Sequence, residues 1–314
     1  MKPTLPDARP AGERRHVGSY ELVARIGSGG MGEVWRADHV HLPRSAAIKL
    51  IQPQLVSRET GDRSDVLVQR FKREAAATAG LRSPHTIQLY DFGITDDGVF
   101  FYAMELLEGC TLQQLTDTAG PIPAERTVEL LVQVCESLAE AHEAGVIHRD
   151  IKPANIFLCK LGVTYDFVKV LDFGLVKFTA GSPLESAQLT GMDASHGTPA
   201  FMPPEVVDGS THFDARSDVY AVGCVAFWLL TGRLVFDVES PIGQIMAHVN
   251  EPAPAPSSVT ELPVPPALDG LVLRCLSKDP NARPQTAKEL LDALRACPLE
   301  HPWDQDRARS WWDT

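Results

Sequence analysis

The sequence predicts an α+β chain in two lobes, a small sheet with one main helix followed by a mostly helical part. Three observations carry this. Short runs rich in β-branched and aromatic residues, parted by glycine and polar turns, fill the chain to about residue 106, around a single amphipathic stretch. After Gly109 the apolar residues recur at helical spacing over long stretches. The length of 314 residues exceeds one ordinary compact core and suits two lobes or two domains.

Residues 1–18 are polar and rich in proline and arginine, and are expected to form a flexible arm. From Tyr20 to about Ala37 the pattern is strand, glycine turn, strand, and Ser45–Ile51 is a further short strand. In Val66–Leu81, the residues Phe71, Ala75, Ala76 and Ala79 alternate with charges at helical spacing. Ile87–Phe92 and Val99–Leu106 return to strand-like content. Ala124–Ala144 then carries Val128, Leu131, Cys135, Leu138 and His142 on one stripe and stops at Gly145. Asp218–Thr231, Ala267–Leu276 and Thr286–Arg295 are the remaining helices. The proline-rich Glu251–Pro266 reads as a surface connection, with an SH3-type ligand as the alternative.

Composition narrows the function classes. With 44% hydrophobic and 22% charged residues the chain is folded rather than disordered. Its formal charge of −12 argues against a general binder of nucleic acid or anionic membrane. The cysteines at 110, 135, 159, 224, 275 and 297 lack metal-ligand spacing and are expected to be small buried residues in a reducing compartment. The N-terminus has no apolar core of a signal peptide, and the longest apolar run, Val219–Leu230, is too short to span a bilayer. A cytoplasmic location is expected.

The most informative stretch is His148–Asn155, HRDIKPAN, with a carboxylate at Asp150, a cation at Lys152 and a carboxamide at Asn155. A second acid, Asp172, followed by Phe173 and Gly174, closes the apolar stretch that begins at Val168. Phosphoryl transfer from metal-bound ATP to a hydroxyl needs this set. One acid orients the hydroxyl, a cation offsets charge on the moving group, and an amide and a second acid hold metal.

With these motifs in this order, the chain resembles the eukaryotic-like (Hanks-type) serine/threonine protein kinases, in phrasing closest to the bacterial branch, from about Tyr20 to Ala296. The resemblance implies a bilobal protein-kinase fold within residues 19–296. Its antiparallel-sheet N-lobe covers about 19–104, a hinge about 105–109 and a helical C-lobe about 110–296, leaving 297–314 as a tryptophan-containing tail. Lys152 is the residue the Ser/Thr class carries, so the resemblance implies Ser/Thr acceptors in protein substrates.

Gly27-Ser28-Gly29-Gly30-Met31-Gly32-Glu33-Val34 fits GxGxxGxV, in which glycines let backbone N–H groups approach phosphate. Rossmann sites share the glycines but open a helix. Here the β-branched and aromatic Glu33–Ala37 follows, so a nucleotide-covering hairpin is expected, with Ile26 at its start. By resemblance, Lys49 touches the α- and β-phosphates and pairs with an acid, Glu74 rather than Glu59. Ala47, Val34 and Phe157 would enclose adenine, Met104 would border the back of its pocket, and Glu105–Leu107 would form the hinge.

The same resemblance assigns Asp150 to the acceptor hydroxyl, Lys152 to the γ-phosphate, and Asn155 with Asp172 to Mg²⁺, for which Mn²⁺ is a possible substitute. It makes His148 a packing residue rather than a proton shuttle. The activation segment runs from Asp172 to Glu205 and ends in PPE where the family has APE or SPE. Glu205 is expected to pair with Arg283, Thr198 to bond the catalytic Asp and Lys, and Asp218 to tie the catalytic loop to the central helix. Arg149 is a candidate clamp for a phosphate on Thr190, with Ser182, Ser186 and Ser195 as weaker sites. Some relatives activate as dimers in trans, so a homodimer is a possible partner.

Two other classes stand beside an active kinase. A catalytically idle scaffold would have lost Asp150 or Asp172, and a small-molecule phosphotransferase would lack the Thr198–Glu205 segment. In the tail, Trp303, Trp311 and Trp312 need apolar partners, either on the C-lobe or on another protein.

Overall fold

The computed structural model describes residues 15–29, 32–51, 63–173, 198–207 and 214–313. They form two compact units. One holds the described residues up to Gly80 together with Ile87–Leu107, the other Leu81–Thr86 and the described residues from Glu108 onward.

The first unit is a six-stranded antiparallel sheet, in the order β1-β2-β3-β4-β6-β5. Its strands are β1 (His16–Val17), β2 (Tyr20–Gly29), β3 (Gly32–His39), β4 (Ser45–Ile51), β5 (Leu89–Ile94) and β6 (Phe100–Glu105). One helix, α1 (Arg63–Ala79), accompanies them. Central strand β4 is buried from Ala46 to Ile51, which is why SAAIKLI reads as a nearly continuous apolar run instead of alternating. Val17, Tyr20, Ala37, Ile48, Phe101 and Ala103 share one apolar cluster. Gly32 has φ +143°, and a Cβ there would lie 1.8 Å from the Leu50 carbonyl oxygen, so only glycine lets β3 start so close to β4.

The arm expected over residues 1–18 lies outside the described residues as far as residue 14. At its end the expectation is corrected, since His16–Val17 is a strand paired with β2, not free chain. Val17 is buried in the sheet cluster, and Gly18, with φ +56°, makes the tight turn that brings it there.

The second unit is built around α5 (Ala215–Thr231), whose residues from Ser217 to Thr231 are all buried. From Val219 to Leu230 the helix is apolar on every side, as befits one in the middle of a core. Asp214 caps it by accepting from the Arg216 N–H, and Gly232 ends it in the left-handed conformation. Around it lie α2 (Leu112–Ala119), α3 (Ala124–Glu143), α4 (Pro204–Val207), α6 (Pro241–Asn250), α7 (Pro266–Cys275), α8 (Ala287–Arg295) and α9 (Gln305–Trp312). A three-stranded antiparallel sheet, β7 (Gly109–Thr111), β8 (Ile156–Leu161) and β9 (Thr164–Val170), completes the unit. The proline-rich 251–266 stretch is a connection between α6 and α7 with one 3-10 turn, Pro256–Ser258.

All six cysteines are free, and burial raises the thiol pKa of Cys135 and Cys224 and pushes that of Cys275 up to about 12. No described helix is long and apolar enough to cross a membrane.

The core of this unit sets a pH dependence. His248 in α6 is fully buried, with Nδ1 2.8 Å from the Tyr220 hydroxyl and its ring edge-on to Phe236. Burial, reinforced by the Lys278 ammonium that donates to the His248 carbonyl oxygen, pushes its pKa down to about 4. In the unfolded chain the imidazole takes its proton near pH 6.5. Between those values the unfolded state binds more protons, so stability is full above about pH 6.5 and falls as pH drops toward 4. Between pH 7 and 5, chemical denaturation is expected to show a loss on the order of 2 kcal/mol from this group. His248→Asn should remove that part of the slope, and an unchanged slope would refute the assignment.

Candidate active site

The loop from Val146 to Lys152 joins α3 to a 3-10 turn at Pro153–Asn155, and β8 follows at once. Asp218, buried in α5, anchors this loop. It accepts the His148 N–H at 2.8 Å and the Arg149 N–H at 2.9 Å, and His142 Nε2 lies 2.8 Å from the same carboxylate. Burial opposes the charge on Asp218, but the His142 ring and the bonds from the loop hold its carboxyl below the ordinary value. The anchor keeps Arg149 at φ +67°, a left-handed conformation that costs a side-chain-bearing residue about 1–2 kcal/mol.

His148 has no exposed surface. Its Nε2 lies 2.8 Å from the Leu171 carbonyl oxygen, its Nδ1 is 3.2 Å from the Asp150 N–H, and its ring sits 4.6 Å from that of Phe173. A tautomer protonated at Nε2 satisfies both bonds. Burial lowers the imidazole pKa despite the acids around it, which suits a neutral cross-link and not a proton carrier. Through this ring the catalytic loop is bonded to the segment that carries Asp172.

Asp150 receives two donors on Oδ2, Lys152 Nζ at 2.9 Å and Asn155 Nδ2 at 2.8 Å. The same Asn155 amide nitrogen also donates to the Asp150 carbonyl oxygen at 2.8 Å. Backbone bonds from Asn155 N–H to Lys152 O and from Leu171 N–H to Asn155 O lock the turn against the end of β9. Asp172 follows directly, with φ +57°, beside the buried Phe173. Asp150, Lys152, Asn155 and Asp172 are therefore gathered on two short segments at the base of one hairpin, β8–β9.

Because the Asn155 amide nitrogen is committed to Asp150, its carbonyl oxygen is the acceptor left to face a ligand. That oxygen and the Asp172 carboxylate are hard donors, which fits Mg²⁺ completed by phosphate and water. Among the described residues no group of three His, Cys, Asp or Glu side chains could hold a metal alone. A two-donor set suits an ion that arrives with its nucleotide.

In the first unit, Ile26, Gly27, Ser28 and Gly29 lie on β2, and Gly32 and Val34 on β3. Gly30 and Met31 are outside the described residues. Val34 is opposite Lys49, and Ala47 is opposite Met104. Lys49 is 7% exposed, with its ammonium 5.8 Å from the Tyr102 ring. Glu74 is half-buried on α1. At the end of β6 the Glu105 N–H donates to the Gln88 carbonyl oxygen at 3.0 Å. Phe157 belongs to the second unit, on β8 opposite Lys169.

Glu205 and Arg283 meet in a two-pronged pair, with both N···O distances 2.8 Å. Arg283 also donates to the carbonyl oxygens of Ser277, Arg216 and Lys278, and Ser217 donates to Glu205. Burial works against the charge of Glu205, but Arg283 outweighs it and holds the carboxyl below the usual range. Thr198 opens the 3-10 turn Thr198–Phe201. Its side chain lies outside the described residues, as do Thr190, Ser182, Ser186 and Ser195. His142 and the Leu171 carbonyl were missed by sequence reasoning. The only signal for His142 was a titratable ring on an otherwise apolar helix stripe.

Residues 20–294 match the family model described as "Protein kinase domain". The serine/threonine-protein kinase pkn3 of Myxococcus xanthus is 40% identical over 282 residues, covering 90% of this chain and 50% of that protein. The serine/threonine-protein kinase PknB of Mycolicibacterium smegmatis is 39% identical over 274 residues, covering 86% of this chain and 41% of that protein. The chain thus spans half or less of the length of these relatives. In fold it is similar to the crystal structure of the Mycobacterium tuberculosis PknI kinase domain, with a TM-score of 0.68 at 24% identity over 91% of this chain and 99% of that one.

Proposed function

The chain belongs to the protein kinase family, and from that membership we propose that it is a serine/threonine protein kinase transferring the γ-phosphoryl group of ATP to protein hydroxyls. The observation that carries the reading is Asp150, whose Oδ2 accepts from both Lys152 and Asn155. In this reading Asp150 orients the acceptor hydroxyl and takes its proton late, since a loose transition state needs little from a strong base. Lys152 offsets charge on the γ-phosphate, Lys49 holds the α- and β-phosphates, and Glu74 orients Lys49. The glycine hairpin covers the phosphates, while Ala47, Val34, Met104 and Phe157 border adenine. Asn155 and Asp172 would hold the divalent ion, Mg²⁺ with Mn²⁺ as substitute, whose charge would offset that of the phosphates.

Protein substrates, phosphorylation of one copy by another and a cytoplasmic site of action belong to the same proposal. Incubating the purified protein with Mg-ATP should place phosphate on its own serines and threonines, and EDTA should prevent it. Mass spectrometry is expected to find Thr190 among the sites, and Thr190→Ala to lower activity at least several-fold. No phosphate on the protein or on a generic basic substrate would count against an active kinase. Full activity of Thr190→Ala would remove the switch alone.

A further inference from the structure

The tail expected over residues 297–314 lies beyond the family match and returns to the second unit through one polar feature. Asp166, at φ +52° in β9, is 1% exposed and faces Arg126 of α3, equally buried. Arg126 donates to both carboxylate oxygens, Nε to Oδ2 and Nη2 to Oδ1, each at 2.8 Å. The tail supplies two more donors. Trp303 Nε1 reaches Oδ2 and Trp312 Nε1 reaches Oδ1, both at 2.8 Å. Trp311 lies 3.8 Å from the Arg126 guanidinium and Trp303 5.2 Å, measured to ring centroids. Gln305 adds bonds to the Tyr165 backbone through both ends of its amide.

Leu299, Trp311 and Trp312 also pack against the unit's main apolar cluster, but two features set the attachment apart from the rest of the core. Helix α9 has eight residues and only Ala308 buried, and a helix that short does not hold in water by itself. Its folding and its docking are therefore one event. An open pocket of about 620 Å³ is also lined both by Glu129, Gln133 and Phe167 of the unit and by Leu299, Pro302 and Gln305 of the tail, so packing between the two is incomplete there.

We infer that the Arg126–Asp166 pair is a docking socket for an indole-bearing helical segment, occupied here by the chain's own tail acting as a detachable latch. The socket reads indole N–H groups and not merely apolar bulk, because both lone oxygen positions left by Arg126 are aimed at them. Opening the latch exposes the socket and removes one wall of the pocket, so the same surface can take a second copy of residues 303–312.

The test uses a fluorescent peptide of residues 298–313 and the full chain. Against the wild-type chain the peptide competes with a tethered copy whose effective concentration is on the order of mM, and it should bind poorly. In a chain carrying Trp303→Ala, Trp311→Ala and Trp312→Ala the socket is vacated, and the peptide should bind at least tenfold more tightly. A peptide with Trp303 and Trp312 replaced by phenylalanine keeps the rings but loses the N–H donors, and should bind that variant at least tenfold more weakly. Hydrogen exchange on the wild-type chain should show α9 amides exchanging faster than those of α5. Equal peptide binding to both chains, no binding to the variant, or indifference to phenylalanine would overturn the socket. Loss of the variant's cooperative fold, or exchange of α9 only together with α5, would show that the tail is core and no latch.

Discussion

Asp150→Asn is expected to lower the phosphoryl-transfer rate by about 10²–10⁴-fold while ATP affinity stays within a few-fold. The change is nearly isosteric, and the remaining carbonyl oxygen can still accept one of the two donors that Asp150 Oδ2 now receives from Lys152 and Asn155. What is lost is the negative charge that balances Lys152 and that, in the proposed function, orients the acceptor hydroxyl. The barrier should rise by about 3–5 kcal/mol, at ~1.4 kcal/mol per tenfold. Single-turnover transfer to a basic protein, beside ATP binding by calorimetry, separates the two effects. Wild-type turnover would exclude Asp150 from the chemistry, and a matching loss of ATP affinity would assign it a binding role instead.

Arg283→Ala is expected to cost stability in place of chemistry, on the order of 3–5 kcal/mol. The Arg283 side chain is fully buried and makes five hydrogen bonds, two of them to Glu205. Removing it strips the partly buried Glu205 carboxylate of its countercharge and takes a donor from three carbonyl oxygens, and that desolvation is the source of the large value. Arg283→Lys keeps the charge but cannot form the paired contacts, so its loss should fall between wild type and alanine. In a cycle with Glu205→Ala the double variant should lose less than the sum of the singles. Denaturant unfolding reads wild type and all four variants, and a loss under about 1 kcal/mol for Arg283→Ala would mean that the brace is idle.

Strand and helix composition was legible where one element faces one environment. The buried β4 and the long apolar run of α5 after Asp218 stand out because no polar face breaks the pattern. The β7–β9 sheet did not stand out, since its strands are short and mix buried charge with apolar residues, as in Asp166 and Lys169 of β9. For the site, the order of motifs exposed Asp150, Asn155 and Asp172, but not the contacts between them. The His148 bond to the Leu171 carbonyl joins groups far apart in sequence through a backbone oxygen that no residue pattern records. The tail was open for a similar reason. Tryptophans among charges call for a partner, but a buried Arg126–Asp166 pair appears only once α3 and β9 are folded together.

Hairpin β8–β9 begins immediately after Asn155 and ends two residues before Asp172. Cross-strand register from Ile156–Val170 to Leu161–Thr164 therefore makes the distance between those two side chains independent of what happens at the far turn. At that turn Gly162 takes φ +60° and Val163 is 89% exposed. Extra residues inserted there would lengthen the loop and leave the spacing at the base alone. A single residue inserted within either strand would turn every following side chain to the opposite face. The hairpin is in this sense a ruler with one end calibrated and the other free to vary.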